Sequence, residues 1–235
     1  MAKTVLLNNI DHKDLRIITT RGADYGDDVM FAPTFPAEFR SIQAHYPIVF
    51  RKTAEGEFQP IALFGFEDRQ NLFLTSGGWD ATYVPLTIER LPFLIGKSGS
   101  ELMIHLDIEN PRVSRTAGEP LFLAHGGTTE FVERMNSVLL AIHEGFEHTP
   151  RFIAALLEHQ LLESFVLDIS LSDGSQNRLT GFYAINEERL AAVGSAALET
   201  LHKAGHLQAI YMSFASLSQF RALIERRNRL HAERR

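Results

Sequence analysis

At 235 residues and 26.5 kDa the chain is long enough to bury a substantial core, and one composite domain is the expected organisation. Hydrophobic residues at 45% and charged residues at 22% exclude long disordered stretches, and a formal charge of −6 excludes the diffuse positive field that general nucleic-acid binding needs. The absence of cysteine excludes disulfides, cysteine–zinc sites, iron–sulfur clusters and thiol nucleophiles.

Residues 1–44 carry few periodic apolar positions and the turn formers Gly22, Gly26, Asp27 and Asp28, which predicts an irregular N-terminal arm ahead of a single composite domain over residues 45–235. The Val5-Leu6-Leu7 run is too short for the apolar core of a signal peptide, and no later run approaches a membrane span. A cytoplasmic protein is expected, although export through a C-terminal signal is compatible with the same N-terminus.

From Tyr46 the pattern turns β-rich. Ile48–Phe50 and Ile61–Phe64 flank the polar AEGE, the signature of a hairpin, and Leu72-Phe73-Leu74 predicts a third short strand. TSGGWDATYVPLTIERLPF, with paired glycines and with Pro85 and Pro92, predicts a compact loop or helical turn. Leu102, Ile104, Leu106 and Ile108 alternate with Glu101, Met103, His105 and Asp107, as in a half-buried strand, and ENPRVSRTAGEP reads as a long connection.

Helical periodicity starts near Thr128: Phe131, Met135, Val138, Leu139, Ile142 and Phe146 share one stripe. A second helix is expected to begin at Thr149 as N-cap with Pro150 at the first position. Residues 164–185 predict an antiparallel hairpin with its turn at Ser172–Ser175, around Asp173-Gly174. Asn186 caps the next helix, Ser195 caps another that ends at Gly205, Leu207–Met212 reads as a strand, and a final helix starts near Ser216. The expected fold class is α+β, a mostly antiparallel sheet with hairpins and helices packed against it.

His105 and Asp107 lie two apart on one strand face, and a distant histidine such as His206 would complete the two-histidine, one-carboxylate set of a non-haem iron enzyme. The same residues are also the polar half of an alternating strand, and spacing relates only the first two. No metal and no cofactor is therefore expected, and no catalytic residue is assigned. His202 and His206 fall four apart on a predicted helix but lack a third ligand. Gly77-Gly78 and Gly126-Gly127 match neither the dinucleotide nor the P-loop fingerprint and read as turns, the second ahead of an N-cap. Six arginines in the last fifteen residues read as the solvated end of an amphipathic helix, with a polyanion site as the alternative.

Trp79 and Tyr83 are the binding candidates, because large amphipathic rings in a loop bounded by glycine and proline commonly form recognition surfaces. The same rings can instead staple the loop to the core.

Tyr46–Phe50, Asn71-Leu72-Phe73, Gly78-Trp79, Tyr83-Val84-Pro85, Pro92-Phe93, GEPLF at 118–122, Asp173-Gly174 and Leu179 with Gly181-Phe182-Tyr183 occur in the order of the SapC family, which the chain resembles from about Phe31 to Phe220. The resemblance implies association with bacterial surface-layer systems. Relatives also look like neighbours of TonB-dependent receptors and flavin-dependent tryptophan halogenases. The expected function is a non-catalytic accessory protein that binds a peptide or protein partner. The alternative is an enzyme that modifies a peptide or small metabolite, such as a non-haem iron 2-oxoglutarate oxygenase, or a partner of a halogenase.

Overall fold

The computed structural model describes residues 3–99, 101–170 and 176–233. In chain order come strands β1 (Thr4–Leu6), β2 (Arg16–Ile17) and β3 (Phe31–Pro33), then helix α1 (Phe39–Ile42). Strands β4 (Ile48–Lys52), β5 (Phe58–Leu63), β6 (Leu74–Thr75) and β7 (Gly78–Trp79) precede helix α2 (Leu86–Glu89). Strands β8 (Phe93–Ser98), β9 (Glu101–Asp107), β10 (Val113–Ser114) and β11 (Glu119–Pro120) lead to the long helix α3 (Glu130–Glu158). The remainder holds strands β12 (Leu162–Ser170) and β13 (Gln176–Ile185) and helices α4 (Glu187–Ala191), α5 (Ser195–Lys203), α6 (His206–Ser216) and α7 (Gln219–Glu233). Every strand pairing among the described residues is antiparallel, so the chain is α+β as its patterning predicts. No helix among the described residues is long and apolar enough to cross a membrane.

The chain divides into two compact units, where the sequence predicts one composite domain after an arm. Unit one comprises residues 1–27, 74–79 and 86–144; unit two comprises residues 28–73, 80–85 and 145–235.

In unit one β9 lies between β1 and β8, and Phe93 faces Leu106 with both side chains fully buried. The alternation of β9 is sealed at that end only, since Leu102 at the other end is 39% exposed. The expected long connection folds into β10 and β11, which bracket β2 so that Val113 and Glu119 both face Ile17. Gly118 makes this possible: its φ is +98°, and a Cβ there would stand 2.2 Å from the Ile17 carbonyl oxygen. No local periodicity marks two-residue strands, because their pairing is a long-range event.

Unit two is built on a five-stranded sheet in the order β12-β13-β4-β5-β3. Ile48, Val49, Phe50, Ile61, Ala62 and Leu63 are all fully buried, which accounts for the continuous apolar runs of β4 and β5. Their hairpin closes as expected, with Thr53 N–H donating to the Glu57 carbonyl at 2.8 Å and Gly56 at φ +84°. β12 and β13 pair from Leu162↔Ile185 to Ser170↔Gln176, while the predicted turn at 172–175 lies outside the described residues. The register shifts between Phe165 and Leu167, opposite Gly181 at φ +85°, a bulge that only glycine accommodates readily.

Three further expectations are corrected. The first 44 residues are not an irregular arm: they supply β1, β2, β3 and α1, and Ile17, Ala32, Phe35, Phe39 and Ile42 are at most 2% exposed. The apolar positions are too widely spaced for a periodicity count to detect. The stretch expected as a strand at Leu207–Met212 is helix α6, because Ala209, Ile210, Ser213 and Ser216, one helical face, are the buried residues. The Ser216 hydroxyl accepts the Ile48 N–H at 2.8 Å and donates to the Ser213 carbonyl at 2.6 Å, so small polar residues let α6 approach β4 closely. Leu72 and Phe73 are buried in a turn, and only Leu74 of the predicted third strand is in β6.

The two helices expected around Thr149 are one, α3, with Pro150 inside it. Pro150 removes one backbone donor, yet the stripe continues past it through Phe152, Ile153 and Leu156, each at most 7% exposed. Burial of that stripe outweighs the proline's cost, which is about 3 kcal/mol. Thr149 does not cap a helix; its hydroxyl donates back to the Gly145 carbonyl at 2.8 Å. Of the predicted stripe, Met135, Leu139 and Ile142 are buried, Phe131 is half-buried and Phe146 is 36% exposed. Gly145 takes the inward position instead. A Cβ on it would lie 2.2 Å from the ring of Phe35, which is 2% exposed. In a free helix Gly→Ala gains about 1 kcal/mol, but here the sign reverses: Gly145→Ala is expected to cost about 1–3 kcal/mol through overpacking, read as a lower urea midpoint.

Asn186 caps α4 as predicted, accepting the Arg189 N–H at 2.8 Å. Gly194, rather than Ser195, holds the N-cap position of α5, and Ala204 ends that helix one residue before Gly205.

Candidate functional site

Trp79 and Tyr83 fall in different units, so each is described by itself. Trp79 is half-buried on the small hairpin of unit one, in register with Leu74. Gly77-Gly78 forms its turn, with the Gly77 N–H donating to the Thr75 hydroxyl at 3.2 Å and Gly78 at φ +103°.

Tyr83 is half-buried in unit two and held at both ends. Its hydroxyl donates to Glu38 Oε1 at 3.0 Å, and the second oxygen of Glu38 accepts the Thr34 hydroxyl at 2.6 Å. Glu38 is 4% exposed and sits just ahead of α1, whose Phe39 and Ile42 anchor that turn in the core. The fully buried Tyr46 donates its hydroxyl to the Tyr83 carbonyl, and the Tyr46 ring packs edge-on against Phe73 at 4.7 Å and Phe64 at 5.2 Å. Burial, and then the negative charge of Glu38, push the Tyr83 hydroxyl well above the usual phenol range, so it remains a neutral donor.

The rest of the 80–85 loop is tied down by the basic helix α7. Arg226 donates to the Asp80 carboxylate at 2.5 Å and to the Asp80 carbonyl at 2.9 Å, and its guanidinium lies 4.4 Å above the Phe73 ring. Arg227 reaches Glu67 at 3.0 Å. The hydrogen bond and charge of Arg226 hold the Asp80 carboxyl below its ordinary range. The Thr82 hydroxyl meets His45 Nε2 at 2.9 Å, and burial, followed by Arg226, lowers the His45 pKa. Leu223 is buried as the amphipathic reading requires, but Arg226 clamps this loop and Arg227 pairs with Glu67, while Arg221 and Arg229 are exposed. The result is a half-exposed tyrosine of fixed orientation beside a carboxylate, a threonine and a neutral imidazole. Such a surface loses little rotamer freedom when it engages a ligand.

The histidine candidates are placed otherwise. His105 Nδ1 lies 3.3 Å from the Met103 carbonyl, and the ring covers Gly96, where a Cβ would come within 2.3 Å of it. Asp107 Oδ1 accepts the Glu109 N–H at 3.3 Å, closing the turn after β9. His206 belongs to unit two, its ring 5.6 Å from Phe152, and burial lowers its pKa. His202 is not on its helix: Gly205 at φ +74° separates α5 from α6. Among the described residues no three His, Asp or Glu side chains are placed to hold a metal ion. Gly126-Gly127 ends at Thr129, whose hydroxyl accepts the Val132 N–H at 3.4 Å, and Glu130 and Glu133 occupy the first turn of α3. Those carboxylates satisfy the positive helix pole and disfavour an anion there.

One cluster has no local signature in the sequence. Arg112 is 1% exposed and donates to Asp27 at 2.5 Å, to the Ile18 carbonyl at 3.0 Å and to the Thr20 carbonyl at 2.8 Å. Asp27, fully buried, also accepts the Gly22 N–H at 2.8 Å and lies 3.5 Å from Arg21. Burial, and then Arg112, lower the Arg21 pKa. All of these groups belong to unit one, where a forked donor ties β2 and the segment after it to the start of β10.

Fold and site together define an α+β protein with antiparallel sheets and an anchored tyrosine loop in its second unit. The SapC family model matches residues 7–223 of the 235, and the chain belongs to the SapC family. No curated protein and no solved structure matches it.

Proposed function

We propose that this SapC-family chain is an accessory protein that binds a peptide or protein partner through the surface around Tyr83, in bacterial surface-layer biogenesis or in uptake through TonB-dependent receptors. The anchoring of Tyr83 carries this reading: a half-exposed aromatic is locked by Glu38 at its hydroxyl and by Tyr46 at its carbonyl, beside the exposed Thr82 and Asp80. Pre-organised amphipathic rings are what recognition surfaces concentrate.

Selection from a random displayed-peptide library on the full chain tests the reading. Recurrent sequences are expected, and Tyr83→Ala is expected to weaken them at least tenfold at a temperature where circular dichroism shows both proteins folded. Thr82→Arg, at an exposed position of the same loop, should do the same without touching Glu38. Failure of any sequence to recur, or equal binding by both variants, would sink the proposal. Trp79→Ala, compared in parallel, reports whether the ring in unit one contributes.

A further inference from the structure

The sheet of unit two has two unlike edges. β3 is three residues long and ends on Pro33, both of which blunt an edge against further pairing. β12 runs nine residues, LESFVLDIS, without Pro, Lys or Gly, and among the described residues no strand lies along its outer side. Its inner side is paired with β13 along its length, so the outer side is held extended as a template.

The distal part of this hairpin has no third strand beside it among the described residues. β13 pairs with β4 only at Phe182 and Tyr183, so the stretch from Leu167↔Leu179 to Ser170↔Gln176 is a two-stranded ribbon. Isolated ribbons of two strands are marginal in water, and they gain stability from packing of one face or from a third strand. One face of β12 carries Phe165 and Ile169, with Ile169 1% exposed and the Phe165 ring 5.8 Å from Phe220 of α7. The other face carries Val166, 50% exposed, and Asp168, whose side chain is 75% exposed.

The charge of the edge selects the occupant. Its ionised side chains are Glu163 and Asp168, with Arg178 across the ribbon 3.5 Å from Asp168. A second copy of β12 would add two acids and no base. We propose that β12 accepts an extended segment of a partner protein, β-branched residues alternating with lysine or arginine, as a sixth strand of the sheet. The added strand supplies main-chain hydrogen bonds along the edge, sets its cations on the face of Val166 and Asp168, and sets its β-branched residues on the face of Phe165 and Ile169. This deepens the peptide-binding reading and rests on it, at a surface distinct from Tyr83.

The probe is a fluorescein-labelled nine-residue peptide alternating valine with lysine and threonine, titrated against the full chain. Expected results are a rise in anisotropy, at least tenfold weaker binding of the version with glutamate in place of lysine, and slowed amide exchange within residues 163–170. Val166→Lys and Asp168→Lys, both at exposed positions, should weaken the lysine peptide at least tenfold, and Asp168→Lys should improve the glutamate peptide. Unchanged exchange in β12, or equal binding of a peptide interrupted by proline, would overturn the proposal. So would dimerisation that protects β12 in the absence of peptide, because the occupant would then be a second copy. If Tyr83→Ala abolishes binding of library peptides while the two β12 variants bind as before, the function stands and the sixth strand falls. If neither library nor probe binds, both fall.

Discussion

Replacing Arg112 by Met should destabilise the protein by about 3–5 kcal/mol, the usual cost of stranding one partner of a buried ion pair. Asp27 would keep its charge at zero exposure without its 2.5 Å contact to Arg112, and the Ile18 and Thr20 carbonyls would lose their donor. Arg112→Lys should recover little, because an ammonium is a point donor and cannot serve three acceptors in a fork. The double variant Arg112→Met, Asp27→Asn should be more stable than Arg112→Met alone. Asn neutralises the buried charge and still accepts the Gly22 N–H, so a non-additive cycle is expected. Urea unfolding followed by tryptophan emission reads this directly, since the single tryptophan, Trp79, belongs to the same unit as the cluster. A loss below about 1 kcal/mol would place the pair among surface-like salt bridges and refute its structural role.

Phe152→Ala should cost about 3–5 kcal/mol, in the range of buried phenylalanine truncations. The ring is 1% exposed and meets Phe39 edge-on at 5.9 Å, Phe50 at 6.4 Å and His206 at 5.6 Å, so its removal opens a cavity between α3, α1, β4 and α6. Phe146→Ala on the same helix is the contrast. That ring is 36% exposed with an edge contact to Phe35 at 5.7 Å, and about 1 kcal/mol is expected. Equal losses by circular dichroism in urea would mean that the buried stripe of α3 runs through Phe146, not Gly145.

Phe146 and Gly145 also show where periodicity stops being informative. Counting apolar residues assigns the inward position to Phe146, because a glycine contributes nothing to a hydrophobic stripe. Phe35 decides otherwise, since its ring occupies the space a side chain at 145 would need. The same limit explains Pro150. Proline and threonine read locally as a helix start, and only the burial of Phe152, Ile153 and Leu156 by distant strands makes one long helix the better solution. At Tyr83 the loop, the aromatic character and the flanking proline are legible, but Glu38, 45 residues earlier, and Arg226, 143 residues later, are not.

Alternation, turn chemistry and phrase order were enough to specify the α+β class, the β4–β5 and β12–β13 strand pairs, the Asn186 cap and membership of the SapC family. Each of these depends on contacts a few residues apart, or on alternation that any chain must show to bury one face of a sheet. The two-unit division, the helical state of 206–216, the core role of the first 44 residues, and the Arg112–Asp27 and Tyr83–Glu38 pairs follow from long-range contacts instead. Those join positions tens to more than a hundred residues apart, and the energy that selects them comes from desolvation and close packing, which arise when the segments meet and leave no trace in the spacing of either one.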